Sequence, residues 1–128
     1  IEKKEYFTLV SEFMLQQTQV KTVIPYFNNF LKNIPNLQSL AKVRDTKLLK
    51  HWQGLGYYSR AKNLKKSAKI VVNNYNGRLP NNFEELKKLP GVGDYTASAI
   101  SAIAFNKSII PLDGNIERLL NLGRNQML

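Results

Sequence analysis

Apolar side chains recur along this chain at intervals of three and four residues, and no stretch alternates apolar with polar residues as a half-buried strand would. This spacing predicts an all-α protein. The predicted helices comprise residues 6–17, 19–32, 37–41, 46–53, 61–76, 83–89 and 95–105, and a last one starts after residue 113. Pro25 lies inside the second helix, which tolerates it only near the first turn or as a kink.

Polar residues mark the starts of several predicted helices. Asn36, Asp45 and Asp94 are expected to be N-caps, and Asn82, followed three residues later by Glu85, resembles a capping box. Helix 95–105 is apolar nearly all round, which predicts a central, buried position. With no repeat, no low-complexity linker and no domain boundary, the sequence indicates a single helical domain over residues 1–128.

Composition excludes several classes of function. Hydrophobic residues make up 43% of the chain, enough for a core, and no apolar run approaches the roughly 18–20 residues that span a bilayer. No signal peptide opens the chain, so we expect a cytoplasmic protein with no membrane partner. The lack of cysteine excludes disulfides and thiolate metal sites, and the single histidine, His51, argues against a zinc cluster or a catalytic triad.

The charge is strongly positive, with 19 Lys and Arg against nine Asp and Glu. Basic chains of this size usually bind polyanions. Residues 41–70 contain one acid, Asp45, and nine bases: Lys42, Arg44, Lys47, Lys50, Arg60, Lys62, Lys65, Lys66 and Lys69. A solvated lysine face explains this pattern as well as a phosphate-binding surface does, since a general excess of Lys and Asn accounts for part of it.

A glycine hairpin between two predicted helices favours nucleic acid. Its residues are Leu89, Pro90, Gly91, Val92 and Gly93. The glycines let the backbone turn tightly and bring N–H groups up to an anion, while the following helix adds its positive amino end. Such a hairpin can bind a DNA phosphate without reading sequence, although an ordinary helix–helix turn remains the alternative.

Two acids, Glu12 and Asp113, have apolar neighbours along the chain. Carboxylates are costly to bury, and those in apolar settings often have a chemical role. Hydrolysis of an N-glycosidic bond needs an acid to protonate the leaving base and an anion to stabilise the sugar cation. The alternatives are that Glu12 lies on the polar face of its helix and that Asp113 is an N-cap.

Four segments occur in an order that resembles a known family. They are SEFMLQQTQV at residues 11–20, GLGYY at 54–58, LPGVG at 89–93 and LDGN at 112–115. Together they closely resemble the MutY family of adenine DNA glycosylases, in the helix–hairpin–helix DNA glycosylase superfamily. The resemblance covers about residues 6–122. It implies that superfamily's six-helix module and the base-excision repair of adenine opposite 8-oxoguanine or guanine in double-stranded DNA, in association with a bacterial nucleoid.

The resemblance also implies catalytic roles. Glu12 matches the glutamate that protonates adenine and later helps to deliver water, and Asp113 matches the aspartate that stabilises the oxocarbenium-like sugar, with Asn115 in support. Tyr95 stands where bifunctional relatives such as endonuclease III carry a Schiff-base lysine. Because tyrosine cannot form that imine, we expect a monofunctional glycosylase.

Further residues are expected at the DNA by the same resemblance. Gln16, Gln17 and Thr18 match a segment that inserts near the lesion pair and contacts the bases. Tyr57 matches an aromatic wedge beside the 8-oxoguanine, with Leu55 of the same turn also placed at the DNA; for Tyr57 a place in the core is the alternative. We expect its neighbour Tyr58 to be the packed tyrosine.

The chain departs from the family at both ends. It lacks the N-terminal helix, the four-cysteine iron–sulfur segment and the C-terminal Nudix-like domain, so we expect a truncated, monomeric form of the catalytic domain with no cofactor. A monovalent cation at the hairpin carbonyls is a further expectation. Two alternative functions stay open: a non-catalytic DNA-binding remnant, and another glycosylase of the superfamily, of the thymine-mismatch or endonuclease III-like type.

Overall fold

The computed structural model describes residues 2–105, and every regular element in that range is an α-helix, as predicted. The helices are α1 (Glu2–Leu15), α2 (Val20–Asn33), α3 (Leu37–Lys42), α4 (Asp45–Trp52), α5 (Ser59–Asn74), α6 (Phe83–Leu86) and α7 (Asp94–Phe105). Within these residues no helix combines the length and the apolar character needed to cross a bilayer.

Helix α1 lies at the centre, where it packs against α2, α5 and α7. Helix α7 is buried continuously from Thr96 to Ile103, which confirms its predicted central position. Helix α3 lies along α5, α4 contacts α2 and α5, and α6 contacts α7. The largest fully buried side chains include Phe13, Phe30 and Trp52, and the rings of the last two meet edge to face with centroids 6.1 Å apart.

Two of the predicted helix caps are confirmed. The Asn36 side chain accepts a hydrogen bond from the Ser39 amide (2.8 Å), and the Asn36 amide donates to the Ser39 hydroxyl (3.1 Å), so α3 starts with a capping box. The Asn82 side chain accepts from the Glu85 amide (3.1 Å) at the start of α6. Pro25 lies in the second turn of α2, and its ring is exposed.

The other two predicted caps, Asp45 and Asp94, are wrong. Each is the first residue of its helix and forms an ion pair, Asp45 with Lys65 (2.8 Å) and Asp94 with Lys87 (3.1 Å). A carboxylate in the first turn is also favourable, because it faces the positive end of the helix dipole. An acid at a helix start therefore does not by itself identify the N-cap.

An ion pair formed by a buried carboxylate holds the amino-terminal half of α1. Glu5 is 1% exposed, and its carboxylate accepts hydrogen bonds from the Arg78 guanidinium (2.7 Å) and from the Leu79 amide (2.8 Å). These contacts connect α1 to the segment between α5 and α6. The orientation of α1 in the core is thus set in part by this carboxylate.

Candidate active site

Glu12 lies on the buried face of α1. Its side chain is 2% exposed, and its neighbours Leu9 and Phe13 are fully buried. The alternative that Glu12 occupies a polar, solvated helix face is therefore wrong. A carboxyl group is retained in such a place only where a partner or a chemical task offsets the loss of hydration.

The loop that follows α1 carries the segment predicted to contact bases. Gln17 is exposed and has φ = 61°, a left-handed conformation that a non-glycine residue adopts only where its surroundings hold it. The Gln16 side-chain amide instead turns inward and donates to the Gly91 carbonyl (3.1 Å) and to the Thr96 hydroxyl (3.2 Å). Gln16 thus joins the end of α1 to the hairpin and to α7, while its contact with bases stays a prediction.

The turn at residues 54–58 presents Tyr57 to solvent. Gly54 has φ = 94°, and a Cβ atom there would clash with the Tyr26 hydroxyl, so both the backbone and the space favour glycine. Tyr57 is 60% exposed with φ = 49°, which excludes the alternative of a core aromatic. Tyr58, predicted to be packed, is 44% exposed, so that expectation is wrong. Leu55 is 6% exposed and part of the core, which corrects its placement at the DNA surface.

The sequence pattern does not reveal the role of Arg60, which by residue type belongs with the surface bases. Its side chain is nevertheless 6% exposed, and its guanidinium donates hydrogen bonds to main-chain carbonyls at the end of α1 and in the turn at 54–58. The signal lay in the helical spacing: Arg60 precedes Leu64, Ala68 and Val71 at intervals of four, four and three, on the apolar stripe of α5. A charged residue on such a stripe is buried only if it is fully bonded.

The hairpin at residues 89–93 is seated on α1 and α5. Leu89 and Val92 are buried, and the Ser67 hydroxyl donates to the Pro90 carbonyl (2.9 Å). Gly91 has φ = 82°, and a Cβ atom there would lie 3.0 Å from both Phe13 and Asn63. Glycine therefore suits the close approach of the hairpin to α1 and α5, while both Gly91 and Gly93 remain exposed.

The start of α7, directly after the hairpin, carries the exposed Tyr95, whose side chain is 55% accessible. Asp94 precedes it, and its negative charge would oppose an approaching phosphate. Lys87 lies between Asp94 (3.1 Å) and Glu84 (3.8 Å), and Asp94 raises the pKa of the Lys87 ammonium. This cation offsets the acids beside the hairpin.

Three of the predicted segments therefore converge on the last turn of α1. Gln16 connects the α1 end to the hairpin, and Arg60 connects it to the turn that carries Tyr57. Asp113 and Asn115 lie outside the described residues. Their predicted roles rest on the sequence alone.

Neither metal nor cofactor ligands are evident in this arrangement. Among residues 2–105 no three His, Asp or Glu side chains are grouped as a metal site would require. An iron–sulfur cluster does not fit this chain, because its 128 residues include no cysteine to provide thiolates. The monovalent cation expected at the hairpin stays a prediction.

Two helices joined by a glycine hairpin define the class of helix–hairpin–helix proteins. The chain belongs to the HhH-GPD superfamily of base excision DNA repair proteins, whose family model matches residues 10–125. This membership confirms the fold that the sequence motifs implied.

Curated relatives are adenine DNA glycosylases. The chain is 51% identical over 120 residues to the enzyme of Buchnera aphidicola subsp. Baizongia pistaciae, a match that covers 94% of this chain and 34% of the relative. It is 45% identical over 121 residues to the human enzyme, covering 94% of this chain and 22% of the relative. The chain thus spans about a third or less of the length of these relatives.

A solved structure of a thermostable thymine-DNA glycosylase is also similar. It superposes with a TM-score of 0.79 at 31% identity, covering 93% of this chain and 55% of that one. A trapped endonuclease III–DNA covalent intermediate gives a TM-score of 0.77 at 26% identity, covering 88% and 53%. The helical arrangement is therefore shared with a thymine-DNA glycosylase and with endonuclease III.

Proposed function

We propose that this chain is the base-excising part of an adenine DNA glycosylase, which hydrolyses the N-glycosidic bond of adenine paired with 8-oxoguanine or guanine. The observation that carries the proposal is the position of Glu12. Its buried carboxyl lies on α1 one turn before the loop where Gln17, the turn at 54–58 and the hairpin are brought together.

In the proposed reaction, Glu12 in its protonated form donates a proton to a ring nitrogen of adenine. The C1′–N bond then breaks, and its electron pair leaves with the neutral base. The sugar is left as an oxocarbenium-like cation, which the Asp113 carboxylate would stabilise with support from Asn115. Water adds to C1′ and gives its proton back to Glu12, leaving free adenine and an abasic site.

The DNA contacts follow from what is exposed. The hairpin glycines and the amino end of α7 would bind a phosphate, with Tyr95 beside the reacting sugar. Gln17, Thr18 and Tyr57 would enter the space that the extruded adenine leaves, since base-acting enzymes fill the gap with inserted side chains. Gln17 and Tyr57 support this placement, because both have left-handed φ angles and both are exposed.

Adenine is favoured over thymine as the base released. The adenine-specific relatives share 45–51% of aligned residues with this chain, whereas the thymine-DNA glycosylase shares 31%. The relatives in Buchnera also support action on the chromosome in a bacterial cytoplasm.

A second candidate, DNA binding without chemistry, is favoured by the charge of the surface. On α5, Lys62, Lys66 and Lys69 are exposed, whereas Lys65 is partly buried and forms an ion pair with Asp45 (2.8 Å). Exposed bases on α3 and α4 and between them extend this surface: Lys42, Arg44, Lys47 and Lys50. Such a surface gives a salt-dependent affinity for any duplex, because bound cations are released from the DNA.

Single-turnover base release separates the two candidates. The chain is mixed with a duplex holding adenine opposite 8-oxoguanine, and strand breaks are measured with and without alkali. We expect breaks only after alkali, because Tyr95 cannot form the imine that leads to strand cleavage. Glu12→Gln should lower the rate by at least about 100-fold, the contribution of a general acid, and retain duplex binding.

The matched control is Glu84→Gln, the same change at a carboxylate whose side chain is 75% exposed, and it should leave the rate unaltered. Full activity of the Glu12→Gln variant would exclude the proposed acid. Salt-dependent binding with no base release by the unaltered chain would favour the second candidate.

A further inference from the structure

The guanidinium of Arg60 is buried without a carboxylate partner in the part of the chain that the structure describes. All of its hydrogen-bond acceptors there are main-chain carbonyl oxygens. Burial lowers the pKa of Arg60, and the nearby Tyr57 partly opposes that shift; an arginine nevertheless stays protonated. A full positive charge is therefore held inside the protein by oriented peptide dipoles.

One side of this guanidinium binds the end of the catalytic helix. Nη1 donates to the carbonyls of Phe13 (3.2 Å), Met14 (2.6 Å) and Gln16 (2.6 Å). Carbonyls in the last turn of a helix have no partner within the helix, and a cation beside them also complements the helix dipole. The bond to Gln16 orients the peptide that leads into Gln17, the residue with left-handed φ.

The other side binds the turn at 54–58. Nη2 donates to the carbonyl of Gly56 (2.9 Å) and more weakly to that of Leu55 (3.4 Å), and Nε donates to that of Tyr57 (3.4 Å). The guanidinium also lies against the rings of Trp52 and Tyr57, 5.4 and 5.5 Å from their centroids. The conformation and the ring orientation of Tyr57 thus depend on the same group that ends α1.

We propose that Arg60 is a positioning residue that sets the spacing between Gln17 and Tyr57 and holds both relative to Glu12. This role deepens the proposed function and rests on it for its catalytic consequence. Residues with left-handed φ angles on two separate loops need contacts that keep them in that conformation. The planar guanidinium of Arg60 reaches both loops. Lysine cannot substitute, since its three donors share one atom and cannot span two loops.

The test compares Arg60→Lys with Lys32→Arg, a conservative change at an exposed base on α2, away from the candidate site. At saturating protein, Arg60→Lys should release adenine opposite 8-oxoguanine about 10–100-fold more slowly, as expected for a misplaced catalytic group. It should also lose most of its preference for the lesion duplex over an undamaged one, while its affinity for the undamaged duplex stays within about twofold. Lys32→Arg should alter neither quantity.

Amide hydrogen exchange gives a readout that does not depend on catalysis. The Thr18 amide bonds to the Leu15 carbonyl (3.2 Å) and the Leu55 amide to that of Trp52 (3.0 Å), so each reports on one loop. In Arg60→Lys both should exchange faster while amides of α7 keep their rates. Uniformly faster exchange, or loss of the folded state, would show a merely structural role and overturn the proposal, as would unchanged exchange and rate.

The two hypotheses can fail separately. If the unaltered chain releases no adenine, the proposed function fails, and faster exchange confined to the two loops would still support Arg60 as their positioning residue. If the unaltered chain is active and Arg60→Lys keeps both its rate and its lesion preference, the positioning role fails and the proposed function stands.

Discussion

The two ends of α1 are each held by an arginine, and the two arginines use different acceptors. Near the amino end, Arg78 binds the buried carboxylate of Glu5 while its own side chain is 48% exposed. At the carboxyl end, Arg60 is 6% exposed and binds carbonyl oxygens of the chain itself. The same residue type therefore stabilises one helix in two chemically distinct ways.

The difference teaches what each contact can specify. An ion pair between side chains fixes where two elements lie, but it places few limits on the main-chain angles of either. A guanidinium bonded to successive carbonyls orients the peptides themselves, and with them the residues that follow. The amino end of α1 is accordingly an anchor of the fold, whereas the carboxyl end defines the loops of the candidate site.

The largest change in stability is expected at the anchor. Glu5→Gln removes the charge that Arg78 binds and should lower the free energy of unfolding by about 2–3 kcal/mol, less than for a fully buried pair because Arg78 remains hydrated. Urea denaturation measures this loss. Glu84→Gln, on the surface, should change stability by less than about 0.5 kcal/mol. Equal effects would mean that the Glu5 pair is not an anchor.

An intermediate loss of stability is expected from substitutions in the turn at 54–58, which Arg60 connects to the carboxyl end of α1. Gly54→Ala places a Cβ atom against the Tyr26 hydroxyl at φ = 94°, and the backbone strain plus the clash should lower the stability by about 2 kcal/mol. Gly56 also has a positive φ angle, 82°, but a Cβ atom added there would have no other atom within 4 Å. In Gly56→Ala, backbone strain alone should therefore lower the stability by about 1 kcal/mol. Thermal melting of both variants would show whether Tyr26 determines the difference; equal losses would mean that it moves aside.

The smallest change in stability should come from protonation of His51, which lies on α4 and holds neither end of α1. Burial, with added repulsion from Lys47 and Lys50, lowers its pKa below the usual 6.5. The unfolded chain thus binds the proton at higher pH than the folded chain, so stability is full above the usual value and falls as pH drops through the folded pKa. Protonation also removes the acceptor that Asn29 uses, 3.2 Å away.

Because His51 is the sole histidine, one NMR titration follows its ring without overlap. Unfolding free energies between about pH 8 and pH 5 should show a small decline that a His51→Asn variant lacks. An identical decline in the variant would assign the pH dependence to other groups.

Helix positions were predictable because apolar residues recur at helical spacing through α1 and α5 and occupy nearly every face of α7. Loop detail was not. Gln16 and Gln17 are adjacent and chemically identical, yet one turns inward to Gly91 and the other outward, a choice made by a φ angle that no residue pattern encodes. Tyr58 was misjudged for the same reason, since left-handed Tyr57 removes the alternation that adjacent residues usually show.

Arg60 shows how charge can mislead. By residue type, Arg60 groups with the eight other bases of residues 41–70. By its position in α5, it lies with Leu64 and Ala68 on the apolar stripe of that helix. Arg60 is buried as its position indicates, because the carbonyls at the end of α1 lack partners within the helix and can accept hydrogen bonds from a cation. Glu12 was anticipated more successfully, since its neighbours along α1 are themselves buried.

The stack of Trp52, Arg60 and Tyr57 gives the molecule an optical reporter of its own. Trp52 is the only tryptophan in the chain, and its indole lies on one side of the guanidinium that Tyr57 contacts. Any displacement of Tyr57 as it enters a duplex must alter the electric field at that indole, and hence the colour and yield of its emission. Insertion of the wedge could then be timed by stopped-flow fluorescence with no added dye.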